Sequence, residues 1–299
     1  MASADADSLD PNRRADVQDP LNRRVYHPLA ARLARALLPT GVSANALSVA
    51  GLFAFLASTW AYLSLAPPQG VLIGLAMMMV WHVFDGADGD LARLKGTASP
   101  TGELIDGVCD YLGNTIMYVA FAFHLDDTLG LWAWVLTAAT GASHVLQTNH
   151  AEGQRRAYLW RVCGVPWLRN AAEAGDPVFR RGNWFTRYFG FWAVGYLWLA
   201  NRTKLGGAAI DEALARAAGN PRETRRIRRL IRRASRCSLR YEKALGANPK
   251  TFLIAAAMAL GSPAYYFLAM IFGVNLVLVA SVLHHRRVNA RLAGRFSPR

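Results

Sequence analysis

Between Asp85 and Asp110 the chain reads DGADGDLARLKGTASPTGELIDGVCD. One apolar run, Val71–Leu91, leads into this stretch and another, Leu104–Phe123, leads out of it. On a helix, Asp85, Asp88, Gly89 and Ala92 fall at i, i+3, i+4 and i+7, which is one face. Gly102, Asp106 and Asp110 fall at i, i+4 and i+8, again one face. The connector Lys95–Thr101, with Pro100, is short enough to make the two helices antiparallel neighbours. Two pairs of carboxylates, each beside small residues, then converge at one end of a helix pair.

The rest of the chain says where that pair sits. Of 299 residues, 53% are hydrophobic and 18% charged, and the net charge is +14. No Lys or Arg occurs between Arg35 and Arg93, between Lys95 and Arg155, or between Lys250 and Arg286. A nucleic-acid binder has no reason to empty three such windows. A membrane protein must, because a charge at mid-bilayer costs roughly 2.5–3.5 kcal/mol on insertion scales. The windows hold six apolar runs: Ala44–Leu65, Val71–Leu91, Leu104–Phe123, Leu131–Leu146, Thr251–Leu260 and Ala264–Leu283. The fifth is short and ends at a turn signal, Gly261-Ser262-Pro263. With the N-terminus cytoplasmic, the inner connections (Lys95–Gly102, Gln147–Lys250 and the C-terminal tail) all carry cations, and the outer ones carry none.

The expected fold is therefore all-α: an integral membrane six-helix bundle with both termini cytoplasmic. In a bacterium that means the inner membrane. Residues 1–20 read as a disordered tail, 21–149 as a membrane core of a juxtamembrane helix and four spans, 150–249 as a basic helical cytoplasmic insertion, and 250–299 as the last two spans with a basic tail. The juxtamembrane helix, Leu21–Leu38, places Leu21, Val25, Leu29, Leu33 and Leu37 at i,i+4 steps. Trp184–Ala200 is apolar and aromatic; spanning would put the basic stretch after it outside, so it reads as interfacial. Arg222–Leu245 places Ile227, Leu230, Ile231, Ala234, Cys237, Tyr241 and Leu245 on one face, with an arginine cluster opposite that suits anionic membrane lipids. Asn220 caps its start and Pro221 suits the first helical position.

Repulsion among four carboxylates is relieved by hard divalent cations with oxygen ligands, Mg²⁺ or Mn²⁺. The glycines and Ala92 clear space for a bulky ligand, and Arg93 adds a planar cation suited to phosphate. Together these point to phosphoryl chemistry. An ion carrier using the same carboxylates is the competing reading, but it needs no cleared groove.

The stretch resembles the CDP-alcohol phosphotransferase family, whose pattern is D-x2-D-G-x2-A-R-x7–8-G-x3-D-x3-D. Asp85, Asp88, Gly89, Ala92, Arg93, Gly102, Asp106 and Asp110 match all eight fixed positions. The resemblance implies that Asp85, Asp88, Asp106 and Asp110 surround the metal, with Asp110 also the general base for the acceptor hydroxyl. It implies that Gly89 and Ala92 let the cytidine lie against the helix, with Arg93 and Gly102 bordering the nucleotide. Many members carry a Pro-Asn-x-x-Thr-like signature at the first span; here Asn45 and Ser48 match while Ala44 replaces the proline, so Asn45 joins the nucleotide side. The implied substrates are a CDP-alcohol, with CDP-diacylglycerol the leading donor, and a hydroxyl acceptor. The reverse polarity, a soluble CDP-alcohol donating to a lipid hydroxyl, stays open, as does a homodimer.

Other residues have quieter readings. His82, one turn before Asp85, reads as a packing histidine. Asp90 lies off the Asp85 face, solvent-facing or paired with Lys95. Arg155 and Arg156, beside Glu152 after the fourth span, are candidates for a substrate headgroup. Cys109, Cys163 and Cys237 have no metal or disulfide spacing.

Overall fold

The computed structural model describes residue 14, residues 16–165 and residues 207–296. Every regular element among these residues is helical. A π-helical turn, Asn22–Tyr26, runs into α1 (His27–Leu37), followed by α2 (Ala44–Ser64), α3 (Gln69–Leu94), α4 (Pro100–Leu129) and α5 (Leu131–Cys163). Then come α6 (Ala208–Arg216), α7 (Pro221–Ala234), α8 (Ser238–Ala244), α9 (Ala247–Ala259), α10 (Ala264–Leu268), a π-helical segment Ala269–Val274 and α11 (Asn275–Phe296). Trp184–Ala200 lies outside the described residues.

The helix ends follow local chemistry. Ser43 caps α2 by accepting from the Ala46 N–H, and Ser99 caps α4 by accepting from the Gly102 N–H. Between α3 and α4 the chain turns through Gly96, whose φ of 66° suits a residue without a Cβ. The Gly261 turn between α9 and α10 likewise has a positive φ, 92°, as its sequence signal predicts.

The chain divides into two compact units. The core unit comprises Asp19–His144 and Ala247–Gly273. In it α2 packs on α3 and α4, and α1 and α9 pack on α3. Small residues set the approach: a Cβ on Gly51 would stand 3.4 Å from Phe84, and one on Gly74 would strike the Tyr62 ring. The polarity is inside-out. Phe53, Phe123 and Trp132 are 66%, 65% and 69% exposed, while Ser58 and Thr140 are fully buried. Buried Tyr118 joins His144 Nδ1 at 2.7 Å and the Tyr266 hydroxyl at 2.9 Å. Such an apolar exterior belongs in a membrane. Three helical runs, Ala44–Ser64, Gln69–Leu94 and Ala264–Phe296, are long and apolar enough to cross one.

In the juxtamembrane helix Leu29 is 41% exposed, while α1 docks through buried Ala30 and Ala34, with Leu33 and Leu37 packed beside them, against Ala87 and Leu91. Gly86 explains the choice, since a Cβ there would lie 3.1 Å from that of Ala30, and close approach selects small residues. The fifth apolar run, short in the sequence, falls in α9, whose 13 residues run about 20 Å before the Gly261 turn. Within the stretch before the juxtamembrane helix, Asp16 accepts from the Tyr158 hydroxyl and from Arg232, and Val17 is buried.

The second unit comprises Met1–Gln18, Val145–Gly246 and Val274–Arg299. Its apolar centre joins Ile210, Ala213 and Ala217 of α6, Ile227 and Ile231 of α7, and Leu292 of α11. Arg161 clamps Asp211 with two hydrogen bonds, of 2.8 and 3.0 Å. A buried polar chain runs from His150 to Ser281 and, through His285, to Glu242.

Candidate active site

Asp85 and Asp88 stand near the end of α3, and Asp106 and Asp110 in the first turns of α4. The Gly96 turn and the Ser99 cap fold these helices back on one another, so the two carboxylate faces meet. Oxygens of Asp85, Asp106 and Asp110 all lie within 4.8 Å of one another. Asp88 is buried and turned aside: it accepts from the Ser48 hydroxyl and the Gly89 N–H while remaining against Asp106. Like charges this close repel strongly, and an all-oxygen set at this spacing fits a hard divalent cation.

Around them lie the other expected residues. Arg93, half-exposed, reaches back over Gly89, where a Cβ would stand 3.4 Å from its guanidinium. Ala92 is half-buried on the same stretch. Arg93 pairs with Asp90 at 2.8 Å, which corrects the Lys95 pairing expected for Asp90. Lys95 instead donates to the Thr40 and Val42 carbonyls, tying the end of α3 to the entry of α2. Asn45 sits beside Gly102, its Oδ1 4.0 Å from where a Cβ on that glycine would be. His82 behaves as a packing residue: it stacks on Tyr26 and bonds Thr251 Oγ1 at 2.9 Å.

Two residues were missed as partners of the carboxylates. The buried Trp81 indole N–H donates to Asp110 at 3.2 Å. Its ring is wedged edge-on to Phe55 and tilted on His82. Trp81 is four residues before Asp85, on the same face, and that spacing was available in the sequence. Ser48 was matched to a signature without a role; it holds Asp88.

Arg155 and Arg156 belong to the second unit, where they share one carboxylate. Arg155 binds both oxygens of Glu152 at 2.7 Å, and Arg156 binds one at 2.6 Å. Burial alone would push the Glu152 carboxyl up; the two guanidiniums outweigh it and hold the group well below the usual carboxylate range.

Residues 41–161, which contain the whole aspartate site, match the family model for CDP-alcohol phosphatidyltransferase. This segment belongs to the CDP-alcohol phosphatidyltransferase family. It is a family of transferases of phospholipid biosynthesis, generally dependent on divalent metal. The chain is similar to phosphatidylinositol phosphate synthase of Mycobacterium tuberculosis, 26% identical over 141 residues, or 45% of this chain and 64% of that protein. The synthase of Mycobacterium marinum is 29% identical over 143 residues, covering 45% and 59%. Choline/ethanolaminephosphotransferase 2 of Arabidopsis thaliana is 37% identical over 76 residues, covering 24% and 19%. The chain thus spans less than two thirds of the length of these relatives.

Proposed function

We propose that the protein transfers a phosphatidyl group from CDP-diacylglycerol to the hydroxyl of a small polar alcohol, releasing CMP. The observation that carries this reading is the convergence of Asp85, Asp106 and Asp110 within the family-matching segment. The relatives named for phosphatidylinositol phosphate synthesis align over 141 residues and the plant phosphotransferase over 76, which favours a lipid donor. The higher identity of the plant relative, 37%, supports a second reading, in which a soluble CDP-alcohol donates to a lipid hydroxyl.

In either case the acceptor oxygen attacks the phosphorus distal to cytidine. The bond from that phosphorus to the CMP oxygen breaks, and the hydroxyl proton passes to Asp110. Asp85, Asp88, Asp106 and Asp110 would hold Mg²⁺ or Mn²⁺, which when bound neutralises the diphosphate and the departing CMP. Trp81 holds one Asp110 oxygen through its N–H, leaving the other for the acceptor. Ser48 fixes Asp88. Gly89 and Ala92 leave room for the cytidine, Asn45 and Gly102 border it, and Arg93 offers a planar cation to the phosphates. The bundle crosses the membrane six times with both termini cytoplasmic, α9 being completed by the turn that follows it.

The test is mass spectrometry of lipids formed when purified protein meets CDP-diacylglycerol, Mn²⁺ and a panel of polar alcohols. The expected result is one new lipid with an equal amount of CMP. A new lipid formed only from a soluble CDP-alcohol and diacylglycerol would establish the second reading. No CMP from any pair would overturn both.

A further inference from the structure

Helix α7 carries its charge and its apolar stripe on opposite sides. Ile227 and Ile231 are buried against α6 and α11. Arg222, Arg225, Arg226, Arg229, Arg232 and Arg233 are all exposed. At 3.6 residues per turn they fall in an arc of roughly 120° opposite the two isoleucines. Among the described residues little answers them. Arg232 pairs with Asp16, and Arg226 lies 3.7 Å from Glu223. Arg225 and Arg229 turn back to the backbone carbonyls of Pro221 and Arg225. Among the described residues none forms an ion pair with Arg222, Arg225, Arg229 or Arg233.

The same unit shows how deep this face sits. The first half of α11 exposes Leu276, Val279 and Leu283, at 72%, 54% and 46%, and belongs to one of the apolar runs long enough to cross a membrane. Helix α7 packs on α11 at Leu292, nine residues or about 14 Å beyond Leu283. The headgroup layer is roughly 5–8 Å thick on each side, and screening at physiological salt has a length of about 8 Å. The arginine face therefore lies at or just beyond the headgroups, turned away from α11. Its isoleucines are already used within the protein, so they are not free to insert.

We propose that the outer face of α7 binds an anionic bilayer surface by charge alone, gathering acidic phospholipids around the unit. This is independent of the reaction at the aspartates. The occupant is a lipid surface rather than nucleic acid because the face is fixed to a helix whose other half is built for hydrocarbon.

The test uses the full-length protein in nanodiscs containing spin-labelled phosphatidylglycerol or phosphatidylcholine. The comparison is wild type against a variant with Arg222, Arg225, Arg226, Arg229 and Arg233 changed to Gln, Arg232 being kept for Asp16. Wild type should prefer the anionic label at least about threefold. That preference should fall towards equality in the variant, and in wild type at about 0.5 M salt. Arg229→Glu alone should show part of the loss, which keeps the question decidable if the multiple variant does not fold. A variant as selective as wild type would overturn the proposal, and so would selectivity that survives high salt. So would salt-sensitive binding of an RNA oligonucleotide by wild type in neutral discs that the variant loses while its lipid selectivity is unchanged.

Discussion

Asp85, Asp106 and Asp110 bring like charges together, whereas Glu152 is enclosed by Arg155 and Arg156. Both clusters are built from half-buried side chains near helix ends, yet they make opposite demands. The Glu152 cluster largely satisfies itself: its carboxylate takes three hydrogen bonds from guanidiniums of its own helix. The aspartates repel one another. Trp81 and Ser48 each bond one carboxylate, and Arg93 is spent partly on Asp90. A carboxylate enclosed by cations is chiefly architecture; carboxylates gathered on one another are a place for a cationic ligand.

That contrast can be broken at either end. Asp85→Asn should lower CMP release at least about 1,000-fold, because several kcal/mol of charge stabilisation is at stake. The protein should still insert and purify, and near-normal turnover would remove Asp85 from the metal site.

A smaller effect is expected at Trp81. Trp81→Phe keeps most of the ring that packs on Phe55 but loses the N–H. A hydrogen bond to a charged group is worth about 1.5–3 kcal/mol, so turnover should drop about tenfold or more with the KM for the CDP-alcohol little changed. A rise in KM at constant turnover would make Trp81 a nucleotide-side residue rather than a support for Asp110.

The smallest effect on catalysis belongs to Glu152. Glu152→Gln should destabilise the protein by roughly 1–2 kcal/mol, read as a lower Tm, by leaving two guanidiniums facing each other. CMP release should change less than about twofold, as for a structural site. Its folded carboxyl is held below the ordinary range. Its contribution is therefore fully present above the unfolded pKa of about 4.3, and lost only as the pH falls below that towards the folded value. The Tm gap between wild type and variant should thus be equal at neutral pH and at about pH 5, and close only in stronger acid. A gap that closes already at about pH 5 would contradict the ion-paired description.

The sequence carried the aspartate site further than it carried the packing. Asp85, Asp106 and Asp110 converge because a helix fixes which residues share a face, and spacing alone reports that. The cap at Asn220 and the turn at Gly261 are legible for the same reason, being local. What spacing does not report is which face a neighbour will choose. Leu29 outweighs Ala30 and Ala34 on any hydrophobic scale, yet Gly86 on α3 favours the small residues and Leu29 stays exposed. Asp90 had two cations within reach, Arg93 and Lys95, and the loop carbonyls of Thr40 and Val42 took the lysine. The Asp110–Trp81 bond depends on two helices meeting in one register, a tertiary fact that the i−4 spacing only hints at.

On the proposed function the four aspartates are not equivalent: Asp85 would hold the cation and nucleotide, and Asp110 would move the proton. Calorimetric binding of a CDP-alcohol with Mn²⁺, set beside CMP release for Asp85→Asn and Asp110→Asn, tests it most directly. Asp110→Asn should lose at least about 100-fold in turnover, the low end for loss of a general base. It should keep nucleotide affinity far better than Asp85→Asn. Equal loss of binding in the two variants would contradict the account, make Asp110 chiefly a metal ligand, and leave the proton to another group.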